Sequence, residues 1–235
     1  MDHNSSKRGI LIAIEGNDSC GKATQQELLL SRLKKNNYRT ADFSIPQYDK
    51  FWGKLIGRYL SGEFGKIDDI SPYLVCLPFA MDMLSLKGRI MEWLEQGRVI
   101  VADRYIQSNI AYTAAKKKGE ERKEIIEWLN QMYYEENNMP QEDMILHLDM
   151  PLSICQDLLM KKANRRYLKG TKKDIHERNL PYLKEVDKVY QLLKKKGKWE
   201  TIRCTCDGKL LSKQDISDEI WNVVKKFLAD RGLQD

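Results

Sequence analysis

The length and composition of the chain restrict its class. It has 235 residues, of which 42% are hydrophobic, enough to bury the core of one α/β domain but too few for two large independent domains. No apolar run approaches the roughly 18 residues needed to cross a bilayer, and the polar residues 1–8 are expected to form a disordered tail. A membrane or secreted protein is therefore not predicted.

Charge and cysteine usage exclude further classes. The net charge is +6, and its basic runs are more typical of solvated helix faces and of a site for a small polyanion than of a nucleic-acid surface. The five cysteines are scattered, and their spacing matches neither a zinc ribbon nor a CxxC redox motif. We expect reduced thiols, a cytoplasmic location and no nucleic-acid partner.

The predicted elements alternate between strands and helices. Short apolar runs, typical of buried parallel strands, cover Gly9 to Ile14, Tyr38 to Ile45, Arg98 to Ala102, Met144 to Leu148 and Thr201 to Cys204. Helical spacing of apolar residues covers Lys22 to Asn36, Ser71 to Gln96, Ile106 to Ala115, Pro151 to Lys162, Asp174 to Lys196 (broken or started near Pro181) and Asp215 to Arg231. This order predicts one three-layer α/β domain over residues 9–232, with a parallel sheet covered by helices on both faces. Its site is expected at the C-terminal ends of the strands.

A phosphate-binding loop is predicted between the first strand and the first helix. Residues 16–22 match GxxxxGK, whose backbone N–H groups, helix N-terminus and lysine ammonium all attract phosphate. The candidate ATP-binding residues are Gly16, Asn17, Ser19, Cys20, Gly21, Lys22, Ala23 and Thr24. Ala23 stands where Ser or Thr would hold Mg²⁺, so a degenerate loop without catalysis is an alternative.

Four segments resemble motifs of the thymidylate kinases, and the resemblance covers most of the chain. The segments are IEGNDSCGKATQ (14–25), similar to EGxDxxGKxTQ; SIPQYDKFWGKLIGRYLSGEFG (44–65), similar to FPxxxxxxGxxIxxYLxGEFG; LPFAMDM (77–83), similar to LFAxDR; and DRYIQSNIAYTAA (103–115), similar to DRYxxSNxAY. Two arginines of the family pattern are absent, because Met83 stands at one position and Gln47 or Tyr48 at the other.

The resemblance implies roles for individual residues. The acceptor-binding candidates are Asp18, Tyr48, Phe79, Arg104, Ser108, Asn109 and Tyr112, and the catalytic candidates are Lys22, Asp103, Arg104, Arg165 and Arg166. By this resemblance Asp18 contacts the acceptor's 3′-hydroxyl, Tyr112 lies against the deoxyribose, and Asp103 helps to hold Mg²⁺. Lys50, Lys54 or Arg58 is a candidate replacement for the absent arginines.

The resemblance also implies a P-loop NTPase fold with a small basic lid at about residues 161–177. Arg165 or Arg166 in this lid would stabilise the transferring phosphoryl group. His176 is expected only to cap or pack. A homodimer formed by helices is implied, and the predicted helix from Ser71 to Gln96 is the candidate for part of its interface.

The predicted function is transfer of the ATP γ-phosphoryl group to dTMP, giving dTDP and ADP, with Mg²⁺ as cofactor. Phosphoryl transfer requires alignment and charge neutralisation rather than a protein nucleophile, which fits the cationic candidates. Two alternatives stay open: the same kinase chemistry on another monophosphate such as dUMP, and a nucleotide-binding protein with impaired catalysis.

Overall fold

Five parallel strands form the centre of the protein in the computed structural model, which describes residues 8–161, 174–195 and 198–232. The strands are β1 Ile10–Glu15, β2 Thr40–Ser44, β3 Val99–Asp103, β4 Met144–Asp149 and β5 Trp199–Arg203. Their order in the sheet is β2, β3, β1, β4, β5. All adjacent pairs are parallel, so the C-terminal ends of the strands share one edge.

Helices cover both faces of this sheet. They are α1 Lys22–Lys35, α2 Phe51–Leu60, α3 Pro72–Leu84, α4 Lys87–Glu95, α5 Ile106–Ala114, α6 Gly119–Asn130, α7 Leu152–Met160, α8 Leu180–Leu193 and α9 Lys213–Asp230. A π-helix, Gln131–Glu136, follows α6, and a small hairpin of β6 Thr205–Cys206 and β7 Lys209–Leu210 follows β5. Within the described ranges, no helix is long and apolar enough to span a membrane.

Alternation of side chains along the strands builds the two cores. In β1, Leu11 and Ala13 join one core with α3, α4, α5, α6 and α8, whereas Ile12 and Ile14 join the other with α1, α7 and α9. A strand that is buried on both faces is apolar at nearly every position, which is why GILIAI indicated a central strand. The predicted three-layer α/β fold is confirmed.

The predicted helix from Ser71 to Gln96 is wrong as a single element, because the chain breaks it into α3 and α4. The Asp82 carbonyl, which would continue the helix, accepts from the Ser85 hydroxyl at 2.6 Å and from Gln47 Nε2 at 3.2 Å. A side chain that competes for a helix carbonyl favours termination. A local hydroxyl and a contact from a distant loop therefore both favour the end of α3 at this point.

The other predicted bounds differ in smaller ways. The segment starting at Asp174 becomes helical only at Leu180, where the Asn179 side chain accepts from Tyr182 N at 3.0 Å and caps α8. The last strand begins at Trp199 rather than Thr201, because it pairs with β4 from Ile145 onward. The predicted tail lies outside the described residues up to residue 7, as do Arg165 and Arg166.

Gly53 in α2 allows a close approach of two backbone segments. A Cβ atom on Gly53 would lie 1.8 Å from the Gln47 carbonyl oxygen, whereas one on Gly88 in α4 would meet nothing within 4 Å. We expect Gly53→Ala to lower the free energy of unfolding by about 3 kcal/mol or more through overlap. Gly88→Ala, the matched control, is expected to raise it by up to about 1 kcal/mol. Urea unfolding of both variants checks this, and equal stability would contradict the close contact.

Candidate active site

The loop between β1 and α1 wraps tightly at the C-terminal edge of the sheet. Gly16 and Gly21 have φ angles of 140° and 95°, and Ser19 has a φ of 65°. A Cβ on Gly16 would stand 3.0 Å from the Leu148 carbonyl of β4, so this position requires glycine on two grounds. The loop leads directly into the N-terminus of α1, which gives the geometry of a phosphate-binding loop.

Lys22 lies in the first turn of α1 and is buried against this loop. Its Nζ donates to the carbonyls of Gly16 at 3.1 Å and Asn17 at 2.7 Å. The Asn17 Oδ1 and Ser19 Oγ atoms are buried without a partner in the described structure. Ala23 is exposed in the first turn, so no hydroxyl stands directly after Lys22. The loop therefore concentrates a cation and polar atoms at the sheet edge.

Glu15, at the end of β1, organises the segment that follows β3. Its carboxylate accepts from the backbone N–H of Tyr105 at 2.8 Å, from the hydroxyl of Tyr190 at 3.1 Å and from the hydroxyl of Ser108. Burial raises the pKa of Glu15, while the Ser108 hydrogen bond and the Arg104 charge oppose the rise. This buried carboxylate fixes the start of α5 against the phosphate-binding loop.

Arg104 follows β3 and connects the loop to the neighbouring cleft. Its backbone has a φ of 68°, and its guanidinium donates to the Gly16 carbonyl at 3.2 Å and the Ser108 hydroxyl at 2.9 Å. The same guanidinium forms an ion pair with Asp18. Arg104 thus lies between the phosphate-binding loop and α5, where two phosphates would meet.

Asp18 is held ionised in this arrangement. Burial alone would raise the pKa of Asp18, but Arg104, Lys22 and the Tyr112 hydroxyl hold it well below its ordinary value. Tyr112 donates to Asp18 Oδ2 at 2.7 Å, and burial raises the pKa of Tyr112 well above its ordinary value. Asp18 therefore presents an ionised carboxylate to the cleft at neutral pH.

All seven acceptor-binding candidates line one cleft beside the loop. The space between its walls is about 650 Å³, part of which is open to solvent. Besides these seven, the walls contain Ile45, Pro46, Leu60, Val75, Met83, Thr113, Asp174, His176 and Tyr182. The cleft is charged at the end near Asp18 and Arg104 and apolar around Phe79, as a nucleotide with a phosphate and a base requires.

At the inner end of the cleft, the Asn109 side chain already has hydrogen-bond partners within the protein. The Asn109 amide donates to the Cys76 carbonyl at 3.1 Å and bonds the Tyr133 hydroxyl, and its oxygen accepts from Thr113 Oγ1 at 3.1 Å. Met83 is buried there without charge. Asn109 therefore holds α5 against α3 as well as lining the cleft.

Neither Gln47, at the position of one absent arginine, nor the candidate replacements Lys50, Lys54 and Arg58 line the cleft. Gln47 binds Asp82 through its backbone N–H at 2.8 Å and its side chain at 3.2 Å, and does not line the cleft. Arg58 pairs with Glu63 at 2.7 Å and lies over the Phe64 ring. Among the described residues, Arg104 is the cation that lines the cleft.

Asp103 is the carboxylate best placed to hold a divalent cation near the loop. It ends β3 on the strand beside β1, and its Oδ1 is buried without a partner in the described structure. No group of three histidine, cysteine or carboxylate side chains suited to a metal occurs in the described ranges. In phosphoryl-transfer sites Mg²⁺ takes one or two carboxylates and completes its shell with phosphates and water, a demand that the unpartnered carboxylate of Asp103 could meet.

His147 in β4 is buried behind the loop and gives a pH-dependent prediction. Its Nε2 has no partner in the described structure, and burial, with the charges of Lys194 and Lys22, lowers its pKa to about 3 from 6.5. As the pH falls, the imidazole takes up a proton in the unfolded chain before it does so in the folded chain. The contribution of neutral His147 to the free energy of unfolding is therefore complete above pH 6.5 and is lost as the pH falls toward 3.

We therefore expect His147 to reduce the free energy of unfolding by about 2 to 3 kcal/mol between pH 6.5 and pH 4.5. Urea unfolding of wild type and of His147→Phe, which retains an aromatic ring, measures this as the difference between their slopes against pH. Parallel slopes would contradict the prediction.

Sequence reasoning missed several residues of the site. Glu15 could have been found from its place before Gly16 at the end of a buried strand, because a buried carboxylate requires hydrogen-bond partners. Tyr59 lies within the quoted segment 44–65 but was given no role. Tyr182 and Tyr190 lie on α8, which reaches the site only in the folded chain. His176 packs as expected, but it also forms part of the cleft wall.

The fold and the site together define a P-loop NTPase. The chain belongs to the thymidylate kinase family, because the family model "Thymidylate kinase" matches residues 14–216.

Individual relatives agree with this assignment. The chain is 31% identical to human thymidylate kinase over 149 residues, 63% of this chain and 65% of that protein. It is 28% identical to the putative thymidylate kinase 251L of Invertebrate iridescent virus 6 over 220 residues, 94% and 90% of the two chains. It is 29% identical to Caenorhabditis elegans thymidylate kinase over 153 residues, 61% and 64% of the chains. The match thus spans slightly less than two thirds of the human and nematode proteins.

A solved structure shares the fold. Thymidylate kinase from Candida albicans superposes with a TM-score of 0.68 at 24% identity, covering 93% of this chain and 92% of that one.

Proposed function

We propose that the chain transfers the γ-phosphoryl group of ATP to dTMP, giving dTDP and ADP. The observation that carries this is the ion pair of Asp18 and Arg104, which joins the phosphate-binding loop to a cleft lined by all seven acceptor-binding candidates. The names of the relatives support the same acceptor.

The geometry supplies what phosphoryl transfer needs. The loop N–H groups and Lys22 bind the donor phosphates, while Arg104 neutralises charge between donor and acceptor. Asp18 accepts from the sugar 3′-hydroxyl, Tyr112 lies against the deoxyribose, and the ring of Phe79 covers the base. The acceptor phosphate is the nucleophile, so no side chain needs to be activated.

ADP release with ATP, Mg²⁺ and a panel of dTMP, dUMP, UMP, CMP, dGMP and AMP tests the proposal. We expect dTMP to have the highest kcat/KM. A preference for another monophosphate would keep the kinase activity but change the assigned acceptor. The uncharged Met83 and the Gln47 side chain, which is bound to Asp82, favour this alternative. ATP binding without turnover of any monophosphate would support a protein with impaired catalysis, which Ala23 favours.

Mg²⁺ is proposed as the cofactor, with Asp103 holding it or its waters; it would neutralise charge on the transferring phosphates. The unpartnered Oδ1 of Asp103 supports this. In a Mg²⁺ titration of turnover, we expect Asp103→Asn to raise the concentration for half-maximal rate about tenfold or more. An unchanged titration curve would remove Asp103 from this role.

A homodimer is proposed, with α3 in the interface in place of the longer predicted helix. Leu74, Leu77 and Met81 form an exposed apolar stripe along α3, the first of them 63% exposed. Light scattering of Leu74→Asp/Leu77→Asp is expected to show monomers. Leu192→Asp, an exposed leucine on α8, is the control that should leave the dimer intact. A monomeric wild type would refute the proposal.

We also propose that residues 9–232 act as one kinase domain with a lid at about residues 161–177, and that the chain is cytoplasmic without a nucleic-acid partner. The five cysteines are all unpaired, which supports a reducing compartment. Cell fractionation tests the location, and DNA binding that weakens steeply with salt would contradict the absence of a nucleic-acid partner.

A further inference from the structure

A short turn before α8 forms one wall of the cleft. Asp174 Oδ1 accepts from the backbone N–H groups of His176 and Glu177, each at 2.9 Å, and Glu177 Oε2 accepts from Asp174 N at 3.0 Å. Ile175 N donates to the Leu60 carbonyl at the end of α2, also at 3.0 Å. The turn, which is the C-terminal end of the segment proposed as a lid, is thus closed on itself and attached to α2, and these contacts fix its side chains in this structure.

His176 projects from this turn into an aromatic cluster. It is 5% exposed, and its Nε2 lies 2.9 Å from the Tyr59 hydroxyl. Its ring stacks on Tyr112 with centroids 5.5 Å apart at 28°, and the Tyr182 ring lies 5.1 Å away. The imidazole therefore contacts rings from α2, α5 and α8 while lining the cleft.

The imidazole is neutral in this environment. Burial lowers the pKa of His176 to about 4, and the charges of Lys116 and Arg104 add to the effect while Asp18 opposes it. A neutral ring held by stacking and one hydrogen bond is a packing surface rather than a charge. Its contribution at neutral pH is to fix the ring on which it lies.

Tyr112 is held from three directions. Its hydroxyl donates to Asp18, its backbone carbonyl accepts from the Tyr182 hydroxyl at 2.5 Å, and its ring face meets His176. The first two contacts hold the ends of the residue. The Arg104 guanidinium, 5.2 Å from the ring centroid, and the edge-on Tyr182 ring at 6.2 Å also contact the ring, and His176 is the aromatic group that stacks on its face. We propose that His176 is a positioning residue that sets the sugar specificity of the acceptor site by holding the Tyr112 ring in place.

This inference rests on the proposed function, in which Tyr112 lies against the deoxyribose. A ring fixed in that position leaves little room for a 2′-hydroxyl. If the Tyr112 ring can move, the site can accommodate a 2′-hydroxyl. Loss of the His176 stack is therefore expected to lower the selectivity for the deoxy acceptor. ATP contacts the other side of Arg104 and is not affected.

The experiment compares kcat/KM for dTMP with that for ribothymidine 5′-monophosphate in His176→Ala, His176→Leu and His176→Phe. We expect the deoxy-to-ribo ratio to fall about tenfold in the first two variants, with the KM for ATP within about twofold of wild type. His176→Phe, which keeps a flat ring and loses the bond to Tyr59, should retain the ratio within about threefold. If His176→Ala fails to fold, the Leu and Phe variants decide.

A ratio unchanged in His176→Leu, or a loss shared equally by both acceptors, would overturn the inference. Wild-type turnover of dTMP is measured first, so that failure of the proposed function can be distinguished from failure of this inference. If another deoxynucleotide is the acceptor, its ribo counterpart replaces ribothymidine monophosphate. If no acceptor is turned over, the ratio of dissociation constants for the two nucleotides, measured by calorimetry, is the readout with the same expected change.

Discussion

Lys22→Ala is expected to lower kcat by about 10²- to 10³-fold. Removing one preorganised group that stabilises the negative charge developing in a transition state typically has an effect of this size. Lys22 Nζ donates to the carbonyls of Gly16 and Asn17, within the loop proposed to bind the donor phosphates. Alanine removes the ammonium but keeps helix propensity in the first turn of α1. Steady-state ADP release with saturating ATP and dTMP measures the effect.

Lys34→Ala is the matched control, since Lys34 is exposed on the last turn of the same helix. Its kcat should match wild type, and circular dichroism should show both variants folded. If Lys22→Ala retained wild-type turnover, the phosphate-binding role of this loop would be wrong. If both variants lost activity equally, the cause would be helix stability rather than the charge of Lys22.

Arg104→Ala is expected to lower kcat/KM for dTMP by about 10³-fold or more. This guanidinium contacts the phosphate-binding loop, α5 and Asp18 at once, and in the proposed function it lies between donor and acceptor. Arg104→Lys should recover little, because a lysine ammonium cannot reproduce a planar fork that serves three partners. Acceptor kinetics of both variants provide the measurement.

Stability has to be followed in parallel for Arg104. Removing the guanidinium takes the ion-pair partner away from the partly buried Asp18 carboxylate, so the melting temperature is expected to fall. The kinetic assays should be run well below that temperature. Arg39→Ala, at an exposed position before β2, is the control for a lost surface guanidinium. Arg104→Ala with wild-type kcat/KM would contradict the placement of Arg104 between the two phosphates.

The features that local sequence determines were predictable. An apolar run followed by GxxxxGK and a helical pattern specifies strand, loop and helix within 30 residues, because glycine backbone freedom and the apolar periodicity act over neighbouring positions. The same holds for β3 with Asp103 and Arg104 at its end. The alternation of such units then implied the three-layer α/β fold.

Contacts between distant segments decided the rest. At the end of α3, the Asp82 carbonyl accepts from Ser85 within the segment and also from Gln47, a distant residue that the pattern from Ser71 to Gln96 does not contain. Tyr59, Tyr112 and His176 meet from three separate elements, so no spacing in the sequence joins them.

The sequence by itself therefore determined the phosphate-binding loop and the cation after β3, on which the proposed chemistry rests. Only the tertiary structure decided the shape and the polarity of the acceptor cleft. The physical reason is range: loop conformation and strand or helix periodicity depend on adjacent residues, whereas a cleft wall depends on which buried side chains pack together after the chain has folded.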